Sequence, residues 1–120
     1  MTCRNYELVT LCGTTSHQIS TGTLQIKRED GTLLTDACTG NGLIDAVFQA
    51  IDRITGVCGT LVSLEIKSIG RGRDASGKAA VEVEFGGNVF KGEADHTNII
   101  EASARAYLNA LNRFLANTPA

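Results

Sequence analysis

Residues 31–46 read GTLLTDACTGNGLIDA, and residues 87–102 read GNVFKGEADHTNIIEA. A shift of 56 residues lays the first stretch on the second without a gap. In both, a glycine turn leads into a strand-like segment, a short junction and the start of a segment whose apolar residues recur every three or four positions. The two stretches therefore predict the same order twice: a strand that returns from a hairpin, and then a helix.

Strand patterns also precede each stretch. Apolar and polar residues alternate in residues 6–12 and 21–28, and again in residues 61–69 and 81–85 of the second half. Helical periodicity follows each junction and continues longer in the second half. Thr97 or Asn98 can cap this second helix, and Glu101, three residues after Asn98, would complete a capping box. Before the turns, the alignment of the two halves needs one extra residue, which indicates a bulge or a looser turn in one of them.

Each half is predicted to be a strand–strand–strand–helix unit, at about residues 6–56 and 60–116 of a single domain that spans residues 1–120. The predicted class is α+β, with two pseudo-symmetric βββα units and mainly antiparallel sheets packed on two helices. Hairpin turns rather than helices join most strands, which disfavours a parallel βαβ sheet. A half of about 55 residues is marginal alone, so we expect the halves to share one sheet or to wrap two sheets around the helices.

Composition and charge argue against several classes of partner. The 120 residues include 11 Lys and Arg against 13 Asp and Glu, and the aromatic content is 5% without Trp. Neither phosphate contacts nor base stacking is well provided for, so no nucleic-acid partner is expected. No apolar run approaches the roughly 20 residues of a membrane span, and the start lacks the pattern of a signal peptide. We therefore expect no membrane partner and a cytoplasmic location.

Patterns typical of catalysis and metal binding are missing from the sequence. No Ser lies in a G-x-S-x-G motif, and neither His17 nor His96 has a ligand-spaced Cys or His beside it. We expect no catalytic residue, metal site or cofactor in this chain. The cysteines never form C-x-x-C and are expected to be small buried residues in a reducing compartment. They are Cys3, Cys12, Cys38 and Cys58.

The junction at residues 39–43, TGNGL, is the strongest candidate binding site. It connects a predicted strand directly to a helix N-terminus, where free backbone N–H groups and the helix dipole favour a carboxylate. Glycines also let a ligand approach the backbone closely. The alternative is ordinary turn and cap chemistry, and spacing alone does not decide between the two.

Five segments together resemble a known family. They are residues 39–46 (TGNGLIDA), 50–56 (AIDRITG), 72–77 (GRDASG), 98–103 (NIIEAS) and 106–113 (AYLNALNR). Their order and spacing are similar to those of the C-terminal regulatory domain of 2-isopropylmalate synthase and citramalate synthase. The resemblance extends over about residues 6–114 and agrees with the internal repeat.

This resemblance implies a regulatory rather than a catalytic chain. The full-length enzymes of the family condense acetyl-CoA with a 2-oxo acid in a metal-dependent barrel domain, which would be the partner of this chain. The domain after the barrel forms a homodimer and binds leucine or isoleucine for feedback inhibition. Three hypotheses follow: a leucine-binding domain of 2-isopropylmalate synthase, an isoleucine-binding domain of citramalate synthase, and a dimerisation module with a degenerate effector site.

The resemblance also implies which residues contact the effector. The carboxylate of the effector would accept hydrogen bonds at residues 41–43, and its ammonium group would face Asp74 or a backbone carbonyl. Its branched side chain would fill an apolar pocket. The implied contacts lie at the strand–helix junction, on the long strand of the second half, in the loop after that strand and at the second helix. They are Asn41, Gly42, Ile44, Leu61, Leu64, Ser68, Asp74, Ala75, Gly77 and Ile99.

Overall fold

The computed structural model describes residues 5–16, 19–40, 42–69, 76–96 and 98–117. The chain divides after Cys58 into two compact units. The first contains β1 (Tyr6–Ser16), β2 (Ile19–Arg28), β3 (Leu33–Gly40) and α1 (Leu43–Thr55). The second contains β4 (Thr60–Ile69), β5 (Ser76–Phe85), β6 (Asn88–His96) and α2 (Ile99–Ala116).

Each unit is an antiparallel three-stranded sheet followed by one helix, which confirms the predicted α+β class and the βββα order. The sheets are separate, with strand orders β1-β2-β3 and β4-β5-β6. Of the two arrangements that the sequence left open, the strands therefore form two sheets rather than one. In each unit the helix packs mainly against the middle strand and the last strand and makes few contacts with the first strand.

Alternation along the middle strands places apolar side chains under the helices. Every second residue of β2 from Ser20 to Ile26 is buried, and so is every second residue of β5 from Gly77 to Phe85. In α1 the buried side chains recur at the helical spacing on one face. The periods of 2 and 3.6 residues seen in the sequence thus correspond to the two buried surfaces that form each core.

The one extra residue by which the first half differs from the second lies in the first hairpin. The Arg28 amide donates to the Thr32 carbonyl at 2.8 Å around the three-residue loop 29–31, whereas β5 and β6 are joined by Gly86 and Gly87 alone. Bulges occur at corresponding places in β1 and β4 and so do not account for it. In the longer loop, the Thr32 amide donates to Asp30 at 2.9 Å, and this hydrogen bond lowers the pKa of Asp30.

Helix and last strand meet differently in the two units. A Cβ atom on Gly92 would lie 2.0 Å from the Ala106 carbonyl oxygen, so α2 rests directly on the backbone of β6. The corresponding position in β3 is Asp36, which forms an ion pair with Arg53 of α1 at 3.3 Å. Arg53 also lies 3.6 Å from the Cys38 Sγ, and the Cys38 contact, followed by the Asp36 charge, raises the pKa of Arg53.

The prediction that the cysteines are buried is wrong for the three that the structure describes. Cys12 and Cys58 are exposed, and Cys38 is half-buried. Cys12 pairs with Thr23, so it falls between the helix-facing positions of β1, and Cys58 lies in the connection between α1 and β4. Cys3 is outside the described residues.

Four aromatic rings form a cluster in the second unit. Phe85, which is 1% exposed, stacks on Phe114 with a centroid distance of 5.2 Å and meets Tyr107 edge-on at 6.0 Å. Phe90 lies 5.6 Å from Phe114 in a further edge-to-face pair. Each such pair contributes about 0.5–1.5 kcal/mol beyond burial of area. The cluster therefore ties both strands of the β5–β6 hairpin, next to their turn, to the middle and the last turn of α2.

We expect Phe85→Leu to lower the free energy of unfolding by about 1–3 kcal/mol, because part of the buried volume and all of the ring contacts are lost. Urea unfolding followed by circular dichroism measures the change. The matched control is Val89→Ala in the same hairpin, since Val89 is largely exposed and its truncation should change stability by less than about 0.5 kcal/mol. Equal midpoints for the two variants would contradict the proposed role of the ring cluster.

Candidate functional site

The N-terminus of α1 begins at a glycine, which has no side chain with which to cap the helix. Its N-cap residue is Gly42, whose backbone is extended at φ −174° and ψ 168°, and no side chain caps the helix from that position. The Gly42 carbonyl accepts the Ala46 amide at 2.9 Å, which leaves the amides of Leu43 and Ile44 without an acceptor inside the helix. A Cβ atom on Gly42 would meet nothing within 4 Å. Backbone donors and open space therefore occur together at this end of α1.

The two described glycines of the junction have different roles. A Cβ atom on Gly40 would lie 2.7 Å from the Ala46 amide nitrogen and 2.5 Å from Asp45 Oδ2, so Gly40 permits the close approach of β3 and α1. Gly42 has no such neighbour, and its small size leaves space beside the helix instead. Gly40 therefore serves the packing of strand against helix, whereas Gly42 is the N-cap and leaves space in which the predicted ligand could approach.

The N-terminus of α2 is already capped by its own side chains. Asn98 is the N-cap, and its Oδ1 accepts the amides of Ile100 at 2.9 Å and Glu101 at 3.2 Å. The predicted cap at Asn98 is confirmed. Glu101, predicted to reach back to the Asn98 amide, instead contacts His96 and Arg105. The corresponding helix ends therefore differ at the N-cap position, where α2 has the capping side chain of Asn98 and α1 has a glycine.

An apolar strip lies on the first strand of the second unit, beside the helix. Leu61, Leu64 and Ile66 of β4 pair with buried positions of β5 and so share the helix-facing side of the sheet. Because α2 covers β5 and β6, these side chains remain accessible, with Leu61 41% and Ile66 38% exposed. We call these three residues the β4 strip. Two of them were predicted to contact the effector, and Ile66 was missed although it continues the same alternation.

Gly77 and Ile99 come together at one end of this side of the sheet. Gly77 was predicted to belong to a loop, but it lies in β5, where it pairs with Ser68 on one side and His96 on the other. A Cβ atom on Gly77 would lie 3.0 Å from Ile99 Cγ1, so its lack of a side chain makes room for Ile99. Strand pairing thus places three predicted contacts, Ser68, Gly77 and Ile99, in one neighbourhood.

The predicted contacts are divided between the two units. Gly42 and Ile44 lie at the open N-terminus of α1 in the first. The second unit contains the contacts on β4, β5 and α2 described above. Three further predicted contacts lie outside the described residues: Asn41, Asp74 and Ala75.

Comparison with known families decides the identity of the fold. The family model of the LeuA allosteric (dimerisation) domain matches residues 4–115. The chain belongs to this family. The match extends over both units, so the LeuA domain is the pair of βββα units together, and the resemblance seen in the sequence is confirmed.

Curated relatives of this LeuA domain are named 2-isopropylmalate synthase. The proteins of Ruminiclostridium cellulolyticum and Sediminispirochaeta smaragdinae are 44% and 48% identical over 98 and 92 residues, which are 82% and 77% of this chain. That of Methylacidiphilum infernorum is 42% identical over 111 residues, or 92% of the chain. The matched regions are 19%, 18% and 21% of those relatives, so the chain spans about a fifth of their length.

Two further properties of this LeuA domain concern metals and membranes. Among the residues that the structure describes, no group of three His, Cys, Asp or Glu side chains is placed to hold a metal ion. Neither described helix is both long and apolar enough to cross a membrane.

Proposed function

We propose that this chain binds leucine and thereby gives feedback inhibition of a 2-isopropylmalate synthase. The observation that carries the proposal is the difference between the two helix N-termini. The Asn98 side chain accepts the Ile100 and Glu101 amides at the start of α2, whereas the N-cap of α1 is Gly42, which makes no side-chain cap and beside which a Cβ atom would meet nothing within 4 Å. A carboxylate is the group that such a helix end favours, because it accepts the free N–H groups and interacts with the positive end of the helix dipole.

Apolar side chains support a branched aliphatic effector. Leu43 and Ile44 are both half-buried and place apolar surface in the first turn of α1, beside the N-cap Gly42. Burying the four carbons of a leucine side chain contributes about 3 kcal/mol at roughly 0.8 kcal/mol per carbon. This contribution favours leucine over small amino acids, which share its carboxylate and ammonium groups but lack the apolar surface.

The parent enzyme is proposed to act as a homodimer through this domain, as the description of the family indicates. A catalytic domain elsewhere in the enzyme would condense acetyl-CoA with a 2-oxo acid. Inhibition requires that leucine bind one conformation of the enzyme better than another. A tenfold reduction in activity corresponds to about 1.4 kcal/mol of coupling between the two sites.

Titration calorimetry of this chain with leucine, isoleucine and valine tests the proposal. We expect leucine to bind and isoleucine, which differs in the position of one methyl group, to bind more weakly by about 1–3 kcal/mol. Tighter binding of isoleucine would assign the chain to the citramalate synthase type. A folded dimer that shows no heat and no thermal shift with any of the three amino acids would reduce the chain to a dimerisation module.

A further inference from the structure

His96, the last residue of β6, connects that strand to the first turn of α2 through both of its ring nitrogens. Its Nδ1 accepts the backbone N–H of Asn98 at 2.9 Å. Its Nε2 is paired with Oε2 of Glu101, which lies in the first turn of the helix. The imidazole therefore takes the place of the glutamate in a capping box, because it satisfies the N–H of the N-cap residue.

These two contacts determine which ring nitrogen carries the proton. A nitrogen that accepts an N–H is unprotonated, so neutral His96 carries its proton on Nε2 and donates it to Glu101. Arg105, one turn further along α2, lies 3.5 Å from the same Glu101 oxygen. The neutral ring thus links a backbone donor to a carboxylate that an arginine also holds.

Among the residues that the structure describes, few charged side chains lie near His96 on the helix-facing side of the sheet. From α2 it meets Glu101, which Arg105 also contacts, and its partner on β5 is Gly77, which has no side chain. The ion pair of Lys78 with Glu93, at 3.2 Å, involves the alternate positions of β5 and β6, which belong to the opposite side of the sheet. Within the described residues, proton uptake by His96 is therefore coupled mainly to the first turn of α2.

We propose that His96 is a pH-sensitive latch on the start of α2. A proton from solvent binds the Nδ1 lone pair and converts the ring to an imidazolium with two N–H donors. The hydrogen bond from the Asn98 amide is then lost, because its acceptor no longer exists. The Nε2 contact with Glu101 persists and becomes an ion pair, so the ring stays beside the helix. The latch opens locally at Asn98 and Ile99 without unfolding α2.

Only the second unit contains this device. The repeat places Gly40 at the position of His96 and Gly42 at that of Asn98, so α1 has neither the imidazole nor the cap. Histidine is the side chain that ordinarily changes charge between about pH 5 and 8, so the test covers this range. The inference goes beyond the proposed function and holds whether or not an effector binds.

Nuclear magnetic resonance on the ¹⁵N-labelled chain tests the latch, since the chain contains only two histidines, His17 and His96. The variant His17→Gln assigns the signals. At pH 8 we expect His96 to show an unprotonated Nδ1 and a protonated Nε2. Between pH 8 and 5, exchange of the Asn98 amide, corrected for its intrinsic pH dependence, should quicken roughly 2- to 10-fold along the titration of the ring. The Gly86 amide, in the β5–β6 turn at the opposite end of the hairpin from His96, serves as the control.

Two variants separate the latch from a structural role. His96→Asn keeps an acceptor near the position of Nδ1 but does not titrate, so the Asn98 amide should stay protected throughout the pH range. His96→Ala removes the acceptor, so exchange should be rapid at every pH. A proton on Nδ1 at pH 8, or an Asn98 amide indifferent to the titration of His96, would overturn the inference. Both of these outcomes are measured on the chain that keeps His96, so they do not depend on how the variants fold.

Discussion

Gly42→Val is expected to abolish leucine binding while leaving the domain folded. The backbone at Gly42 is extended at φ −174°, a conformation that valine adopts readily, and a Cβ atom there would meet nothing within 4 Å. The added side chain would occupy the space through which a carboxylate reaches the Leu43 and Ile44 amides. Hydrogen bonds to a charged group contribute about 1.5–3 kcal/mol each, so loss of both weakens binding by at least roughly 100-fold.

A matched variant distinguishes blocked access from lost stability. Gly42→Asn places at α1 the residue type that caps α2. By analogy with the Ile100 and Glu101 amides of α2, its side-chain oxygen should occupy the amides of Ile44 and Asp45, and so compete with the carboxylate at Ile44. This variant should keep or slightly raise the melting temperature, since Asn caps a helix better than Gly by a few tenths of a kcal/mol. Gly42→Val should cost about 1 kcal/mol of stability, and both should lose leucine binding by calorimetry. Normal binding by either variant would show that the carboxylate site lies elsewhere.

Gly92→Ala is expected to disrupt the packing of α2 on its sheet. The new Cβ atom would lie 2.0 Å from the Ala106 carbonyl oxygen and 2.6 Å from the Ala110 amide nitrogen. Both are backbone atoms, so a change of rotamer does not relieve the overlap and the helix itself has to move. We expect a loss of at least about 3 kcal/mol in the free energy of unfolding, at the upper end for an overpacked site.

The control for Gly92→Ala is the same substitution at Gly42, which has open space and an extended backbone. Chemical denaturation of both variants compares them directly. The Gly42 variant should unfold within about 1 kcal/mol of the parent chain, and the Gly92 variant far earlier. If the two variants have the same denaturation midpoint, α2 does not rest on β6 at Gly92.

Local patterns were enough to predict the order of the elements. Alternation in β2 and β5 and the helical spacing in α1 and α2 are properties of neighbouring residues, so they are visible without the fold. Comparison of the halves even revealed the one-residue difference, which the structure places in the loop 29–31. Strand ends were less predictable: β1 continues to Ser16 and β5 begins at Ser76, because pairing with a neighbouring strand extends a segment beyond its own pattern.

Site residues were predicted in part, and the differences have a physical cause. Gly40 and Gly42 look equivalent in the sequence, yet a Cβ atom on Gly40 would overlap the Ala46 backbone and one on Gly42 would meet nothing within 4 Å. Asn98 was recognised as a cap because capping is a local pattern. The partner of its amide, His96, was not recognised, since that contact depends on the orientation of the ring at the end of β6.

By itself, the sequence determined that this chain is two similar βββα units of the LeuA domain type. Periodicity, turn residues and repeat spacing depend on the order of residues alone, so they can be recognised without the structure. Only the tertiary structure decided which helix end is open and which strand keeps an accessible apolar face. Gly42 faces open space, and β4 stays uncovered, because of where α1 and α2 lie on their sheets. The space beside a residue is set by elements distant in the chain, which no local pattern records.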